Sequence, residues 1–340
     1  MSETIRLTFP RPVGGPSQAP IHTHAATAPG KLLFAGEYAV LDGGPAVVAA
    51  VSRRVIARAS TLPVPATPFL AAVADVVAAE RGPGSAAARA ARHMSVDSDA
   101  LHLGGIKLGL GSSAAATVAA VACAISHDDA TPDEEVAAVD RELVHRLARE
   151  AHGNAQGARG ARGSGADVAA CTYGGILRFA GDAATAITLP TDLILVPFWT
   201  GTSADTTQLV LAVNEARAAR PREVGAALTA IADAAGRLAE ALDAAHAIAA
   251  LDAGAQALAA LGQASQLDLE TDPIRRVRRL SAPLGGAAKS CGAGGGDVGI
   301  AFLPPGADTS AFRVGLVEAG CSLLDLSIDP SGVDIVVSTL

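Results

Sequence analysis

Lys107-Leu108-Gly109-Leu110-Gly111-Ser112-Ser113-Ala114-Ala115 sets two glycines and two hydroxyls directly before an apolar run, Ser113 to Ser126, that reads as a helix. A helix N-terminus has free N–H groups and carries about half a positive charge, and glycine lets the backbone approach a phosphate closely. Gly109, Leu110, Gly111, Ser112, Ser113 and Ala114 are therefore candidate nucleotide-binding residues, and the Ser112 and Ser113 hydroxyls are candidate ligands for a phosphate-bound Mg²⁺. No Gly-x4-Gly-Lys-Ser/Thr occurs, so the segment is not a P-loop. Gly109-x-Gly111-x-x-Ala114 after a strand-like stretch, with Asp129 further on, leaves a dinucleotide fold open. A plain glycine turn with a serine cap is the structural alternative.

Lysine usage extends this site outward. Only three lysines occur, Lys31, Lys107 and Lys289, and each lies in or beside a glycine-containing segment, while arginine supplies the other 23 of the 26 basic residues. Lysine is a compact point charge suited to phosphate oxygens, so the bias points to chemistry at these three places. Gly292-Ala293-Gly294-Gly295-Gly296-Asp297 is a second glycine run, whose entropic cost favours a backbone wrapped around a ligand over a simple turn. Ser164-Gly165-Ala166-Asp167 puts a carboxylate on a turn, either as a local cap or, opposite a lysine, as a group that orients or deprotonates an acceptor. Arg159 and Arg162 just upstream could grip a substrate phosphate or be solvated loop residues, whereas Arg275-Arg276-Val277-Arg278-Arg279 reads as a solvated helix face.

Composition limits the function classes. The 340 residues carry a net charge of −8 and only 3% aromatics, against a basic, stacking nucleic-acid surface. The longest apolar runs, such as Ala114 to Ile125, fall short of the roughly 18 to 20 residues that a membrane helix needs. Met1 to Thr27 lacks the pattern of a secretory signal, and Cys123, Cys171, Cys291 and Cys321 have no paired spacing, which together suggest a reducing cytoplasm.

Strands are expected at Lys31 to Phe34, Ala46 to Val51, Leu101 to Leu108 and Ile176 to Phe179. Helices are expected at Pro65 to Arg92, at Ser113 to Ser126 and from Thr131-Pro132 to Arg149, followed by a loop from His152 to Gly165. Beyond a boundary near residues 180 to 190 come a strand, Asp192 to Phe198, and a helical region, Leu209 to Leu261, broken near Arg220-Pro221 and Ala253-Gly254. Strand, helix, strand and strand follow at Val298 to Leu303, Thr309 to Ala319, Cys321 to Ile328 and Val333 to Ser338, an α+β pattern of split βαβ type.

Taken in order, Ala28-Pro29-Gly30-Lys31-Leu32 with Gly36-Glu37-Tyr38-Ala39-Val40-Leu41, then Gly109 to Ala115, then Gly292 to Gly296, resemble the three motifs of the GHMP kinase superfamily. The resemblance implies an ATP- and Mg²⁺-dependent kinase of α+β class. Its fold would be an N-terminal ATP-binding domain (22–185) with a left-handed βαβ crossover and a C-terminal ferredoxin-like domain (186–340), with the active site between them. The details are most similar to the phosphomevalonate kinase branch: Tyr38 after Gly36-Glu37, Gln156-Gly157 leading into Ser164 to Ala169, Trp199-Thr200-Gly201-Thr202-Ser203-Ala204, and Gly294 to Asp297. That branch implies catalytic Lys31 and Asp167, with Lys107 beside the nucleotide. It also implies phosphomevalonate contacts from Gly36, Glu37, Tyr38, Arg159, Arg162, Ser164, Gly165, Ser203, Gly292, Ala293, Gly294 and Gly295. The chain departs from the pattern in a longer loop, Gly157 to Gly163, in Ser290-Cys291, and in offering Gln156 or Glu150 where relatives complete the metal shell with an upstream Glu. Mevalonate kinase, another small-molecule GHMP kinase, a nicotinamide-dependent dehydrogenase and a non-catalytic nucleotide sensor remain as alternatives.

Overall fold

The computed structural model describes residues 22–60, 62, 64–128, 138–158, 160 and 163–339. The chain opens on β1 (His22–Ala35) and β2 (Ala46–Ala59), an antiparallel pair of 14-residue strands. Both are longer than expected from the sequence, because small apolar residues such as Ala26, Ala28, Val55 and Ala57 extend the buried face. The register shifts between Pro29 and Gly30 and between Leu33 and Ala35, on either side of Lys31.

The helix expected over Pro65 to Arg92 is two helices, α1 (Pro68–Arg81) and α2 (Ala86–Arg92), broken at Gly82-Pro83-Gly84 and capped by the Thr67 and Ser85 hydroxyls. After β3 (Met94–Asp97), the strand expected over Leu101 to Leu108 is folded back on itself as β4 (His102–Leu103) and β5 (Ile106–Lys107). Gly104 and Gly105, both at positive φ, make that tight reversal possible. Helix α3 (Ser112–Ile125) is buried on nearly all sides, as its Ala- and Val-rich composition requires. Helix α4 (Arg141–Gly157) starts on an Asp140 cap; the expected start at Thr131-Pro132 lies outside the described residues. The helix runs past Arg149, so His152 is helical and not part of a loop. Then come α5 (Ala166–Tyr173), β6 (Ile176–Ala180) and β7 (Ala183–Ile187).

The second half contains β8 (Ile194–Trp199), α6 (Thr206–Ala219), α7 (Pro221–Ala239), α8 (Ala244–Ser265), α9 (Asp272–Ser281), β9 (Ala287–Ser290), β10 (Val298–Leu303), α10 (Thr309–Glu318), β11 (Ser322–Leu323) and β12 (Asp334–Thr339). The break at Arg220-Pro221 is where the proline predicts it. The second break falls at 240–243, not at Ala253-Gly254. Gly254 sits inside α8, where a Cβ would make only ordinary contacts with the Ala234 methyl (3.7 Å) and the Lys289 stem (3.8 Å). At 22 residues α8 is long and apolar enough to cross a membrane by length and composition, longer than the apolar runs read from the sequence. It packs on α7 and β9, with 56% of its most apolar window buried inside the protein. On α9, read from the sequence as a solvated face, Arg275 pairs with Asp268 and Asp272, and Arg278 with Asp252 and Glu270.

Two sheets organise the molecule. The first has the order β12-β1-β2-β6-β7, with β3 added on β2, so residues 334–339 return from the C-terminal end to complete the N-terminal sheet. The strand expected over Cys321 to Ile328 is reduced to the two residues of β11. The second sheet is antiparallel in the order β11-β8-β10-β9, which, with helices between β8 and β9 and between β10 and β11, is the split βαβ arrangement of a ferredoxin-like unit. Phe34 on β1 and Phe302 on β10 meet edge to face at 5.7 Å within the main core, so the two sheets are packed together through these rings. A cleft opens beside this junction.

Candidate active site

The cleft has a volume of about 470 Å³ and collects residues from all three glycine-containing segments. Lys31 enters it from β1, positioned through its own backbone: its N–H donates to Leu110 O at 2.9 Å, which ties the strand to the loop before α3. Gly30 has to be glycine for that contact, since a Cβ there would lie 2.9 Å from Leu110 O and 2.8 Å from a Leu101 methyl. The Lys31 ammonium stands 3.3 Å from Asp167 Oδ1 on the first turn of α5. Burial pulls its pKa down, but attraction and hydrogen bonding to Asp167 outweigh that, so the ammonium is held above its ordinary value and stays charged.

The loop before α3 depends on glycine geometry. Gly109 and Gly111 both take positive φ, and Gly111 caps the helix in the left-handed conformation. Ser113 lines the cleft, and its Oγ lies 3.2 Å from His152 Nε2 on α4. His152 is 5% exposed, and its ring lies tilted at 31° against Phe69 with centroids 5.1 Å apart. Burial pushes its pKa below the usual histidine value, with Asp167 pulling the other way. Lys107 lines the cleft from β5, and its carbonyl accepts from Ser203 Oγ at 3.3 Å, which joins the β4–β5 hairpin to the segment before α6.

The third glycine run holds the far wall. Asp297 is at φ 58, and its carboxylate presses on Gly109, where a Cβ would fall 2.6 Å from Asp297 Cγ. It accepts from Ala204 N at 3.3 Å, while its main chain bonds to Thr202 O (2.7 Å) and Thr200 N (2.9 Å). Burial raises the Asp297 carboxyl above the ordinary range. One residue thus links the second glycine segment, the third, and the Thr200–Ala204 loop.

Several expected site residues do other work. The Lys289 ammonium has no donor left for a phosphate, because its three hydrogens go to Glu37 Oε1, Phe34 O (3.2 Å) and Ser290 O (2.7 Å). Both charged side chains of the Lys289–Glu37 pair are 1% exposed. Glu37 therefore reaches the cleft wall as the partner of a buried clamp; burial pushes its carboxyl upward and Lys289 opposes that shift. Tyr38 Oη donates to Ala293 O at 2.5 Å, and burial raises its phenol well above the ordinary value. Gly294 and Gly295 pack on Leu269, with Gly295 N donating to Leu269 O at 3.0 Å, and Gly36 packs on Pro45 and Ala46. Those three glycines shape the loops without lining the cleft, as do Leu110, Ser112 and Ala114.

Ser164, Gly165, Ser203, Gly292 and Ala293 do line it. Arg159 and Arg162 lie outside the described residues. Of the two candidates for the metal shell, Gln156 lines the cleft and Glu150 is exposed elsewhere. His152 and Asp297, unassigned from the sequence, line it too. The available signal for His152 was its i, i+4 spacing to Gln156, which puts both on one helix face. Among the described residues no three His, Cys, Asp or Glu side chains are grouped to hold a metal by themselves. A Mg²⁺ arriving on nucleotide phosphates needs only one or two protein ligands, and of the two serines expected for it only Ser113 lines the cleft.

Residues 69–175 match the family model for the GHMP kinases N terminal domain. A phosphomevalonate kinase of Streptomyces sp. (strain CL190) is 29% identical over 89% of this chain and 96% of its own length. Two solved structures share the fold. A Lin0012 protein from Listeria innocua superposes with a TM-score of 0.78 at 22% identity, covering 92% of this chain and 99% of that one. The Streptococcus pneumoniae phosphomevalonate kinase, in complex with phosphomevalonate and AMPPNP, gives 0.73 at 21% identity, covering 89% and 99%.

Proposed function

We propose that this chain, which belongs to the GHMP kinases, transfers the γ-phosphoryl group of ATP to the phosphate of (R)-5-phosphomevalonate, giving the diphosphate and ADP. The relatives support a kinase of the mevalonate pathway. The observation that carries it is the Lys31–Asp167 pair, 3.3 Å apart, in a cleft shared with the N-terminus of α3 and Lys107. It is the arrangement that phosphoryl transfer requires, since that reaction depends on positioning and charge neutralisation more than on covalent chemistry.

In this reading residues 22–185 bind ATP and residues 186–340 complete the acceptor site. The backbone at Gly109, Gly111 and Ser113 holds the nucleotide phosphates, with Lys107 beside them and Ser113 as a ligand for their metal. Magnesium would neutralise phosphate charge and fix the phosphates in line. Lys31 bridges the acceptor oxygen and the γ-phosphoryl group, and Asp167 keeps its ammonium aimed there. A phosphate monoester has its second pKa near 6 and is mostly dianionic at pH 7, so the acceptor needs no strong base. Ser164, Gly165, Ser203 and the Gly292-Ala293 backbone, which line the cleft, are assigned to the acceptor in this reading. Four free, separately buried cysteines support a reducing cytoplasmic setting.

The test is ADP release with Mg-ATP and either phosphomevalonate or mevalonate as sole acceptor, with product mass recorded. A diphosphate formed from phosphomevalonate alone supports the proposal, and turnover on mevalonate alone moves the assignment to an alcohol kinase.

A further inference from the structure

We propose that His152 is a positioning residue for phosphoryl transfer, holding the Ser113 hydroxyl in the one rotamer that faces the bound phosphates and their metal. The inference rests on the assignment of Ser113 to the ATP site. Its own support is geometric. Ser113 stands on the first turn of α3, where a serine side chain can turn back to its own helix, along it or out into the cleft. Its Oγ is instead 3.2 Å from His152 Nε2. The histidine is itself fixed: it is 5% exposed on the inner face of α4, and its ring lies tilted against Phe69, with centroids 5.1 Å apart. Both the ring and the hydroxyl border the same cleft as Lys31 and Asp167.

The contact uses one part of the hydroxyl's hydrogen-bonding capacity and leaves the rest directed at the ligand. In a site with no protein-only metal cage among the described residues, the aim of one hydroxyl decides how the phosphates and their cation sit against Lys31. Partners of this kind, one step removed from the metal, change affinity or activity by about 10- to 100-fold when lost.

His152→Gln and His152→Asn separate positioning from packing. A glutamine side chain extends its terminal amide to the place of Nε2, and asparagine reaches only the place of Nδ1. The expected result is a kcat lowered about 10- to 100-fold in H152N and largely kept in H152Q, with the acceptor KM unchanged in both. In a Ser113→Ala background the two variants should be equally active, because the group they position is gone. Equal losses in H152N and H152Q, or a difference between them that survives S113A, overturns the proposal. A merely structural histidine would lower the Tm of both without splitting their rates. One measurement leaves the histidine intact: in protein carrying 15N-labelled histidine, the His152 Nε2 signal should move between wild type and S113A, and an unmoved signal overturns the contact. Wild-type kcat and ATP KM in S113A would instead remove Ser113 from the site, a distinct failure of the underlying assignment.

Discussion

The Cα of Gly111 lies flat against the Lys31 side chain: a Cβ there would fall 2.7 Å from Lys31 Cγ and 2.8 Å from Cε. The glycine that caps α3 is therefore also the surface along which the lysine reaches Asp167. Gly111→Ala has to displace the lysine stem as well as strain a backbone at φ 74. The expected outcome is a kcat reduced about 10²-fold, the typical effect of a 1 Å misplacement, in a protein that still folds. Steady-state kinetics beside circular dichroism checks both parts.

Lys31→Met and Asp167→Asn should differ in degree. Losing the ammonium removes the charge that stabilises the transferring group, with an expected loss of about 10²- to 10³-fold in kcat. With a phosphate acceptor, Asp167→Asn leaves an acceptor that is already ionised and loses only the orientation of Lys31, so its loss is smaller. The residual rate of that variant should show no steep rise from pH 7 to 9, because no proton has to be abstracted. A steep rise would indicate an alcohol acceptor and a true base at Asp167.

Lys289→Met should be a stability variant. It leaves Glu37 buried and unpaired, a situation that costs about 3–5 kcal/mol. Glu37→Gln should cost less, since the ammonium keeps the carbonyls of Phe34 and Ser290. Urea unfolding of the two variants measures the difference, and equal stabilities would contradict the clamp.

The cysteines should be inert in the native state. Burial pushes the thiols of Cys123 and Cys321 up to about 11 and that of Cys291 up to about 12, and Cys171 is raised by the same cause. A raised pKa leaves the group as unreactive thiol at every pH below it, so at pH 8 a disulfide reagent should modify these positions only as the protein unfolds. Rapid labelling of Cys291 in folded protein would show that the cleft opens more widely than the structure has it.

Much of the architecture was legible because its signals are local. The glycine-serine step into α3, the proline that opens α7 and the β-α-β-β-α-β order of the second half each rest on neighbours in the chain. Where local signals compete with packing they fail. Leu101 to Leu108 has the composition of a strand, yet Gly104-Gly105 folds it into a hairpin, and Gly254 reads as a break although it lies inside the 22-residue α8.

The sequence by itself marked three glycine-containing segments, each with a lysine, as candidates for an anion site, since lysine charge and glycine backbone freedom are properties of the residues alone. Only the tertiary structure decided which lysine serves it. Lys31 meets Asp167 because β1 and α5 pack side by side, and Lys289 is turned inward to close a buried clamp with Glu37. His152 joins Ser113 across 39 positions, and Asp297 joins Gly109 across 188. Such pairings leave no local trace, because they depend on the packing of distant segments and on the burial that packing brings.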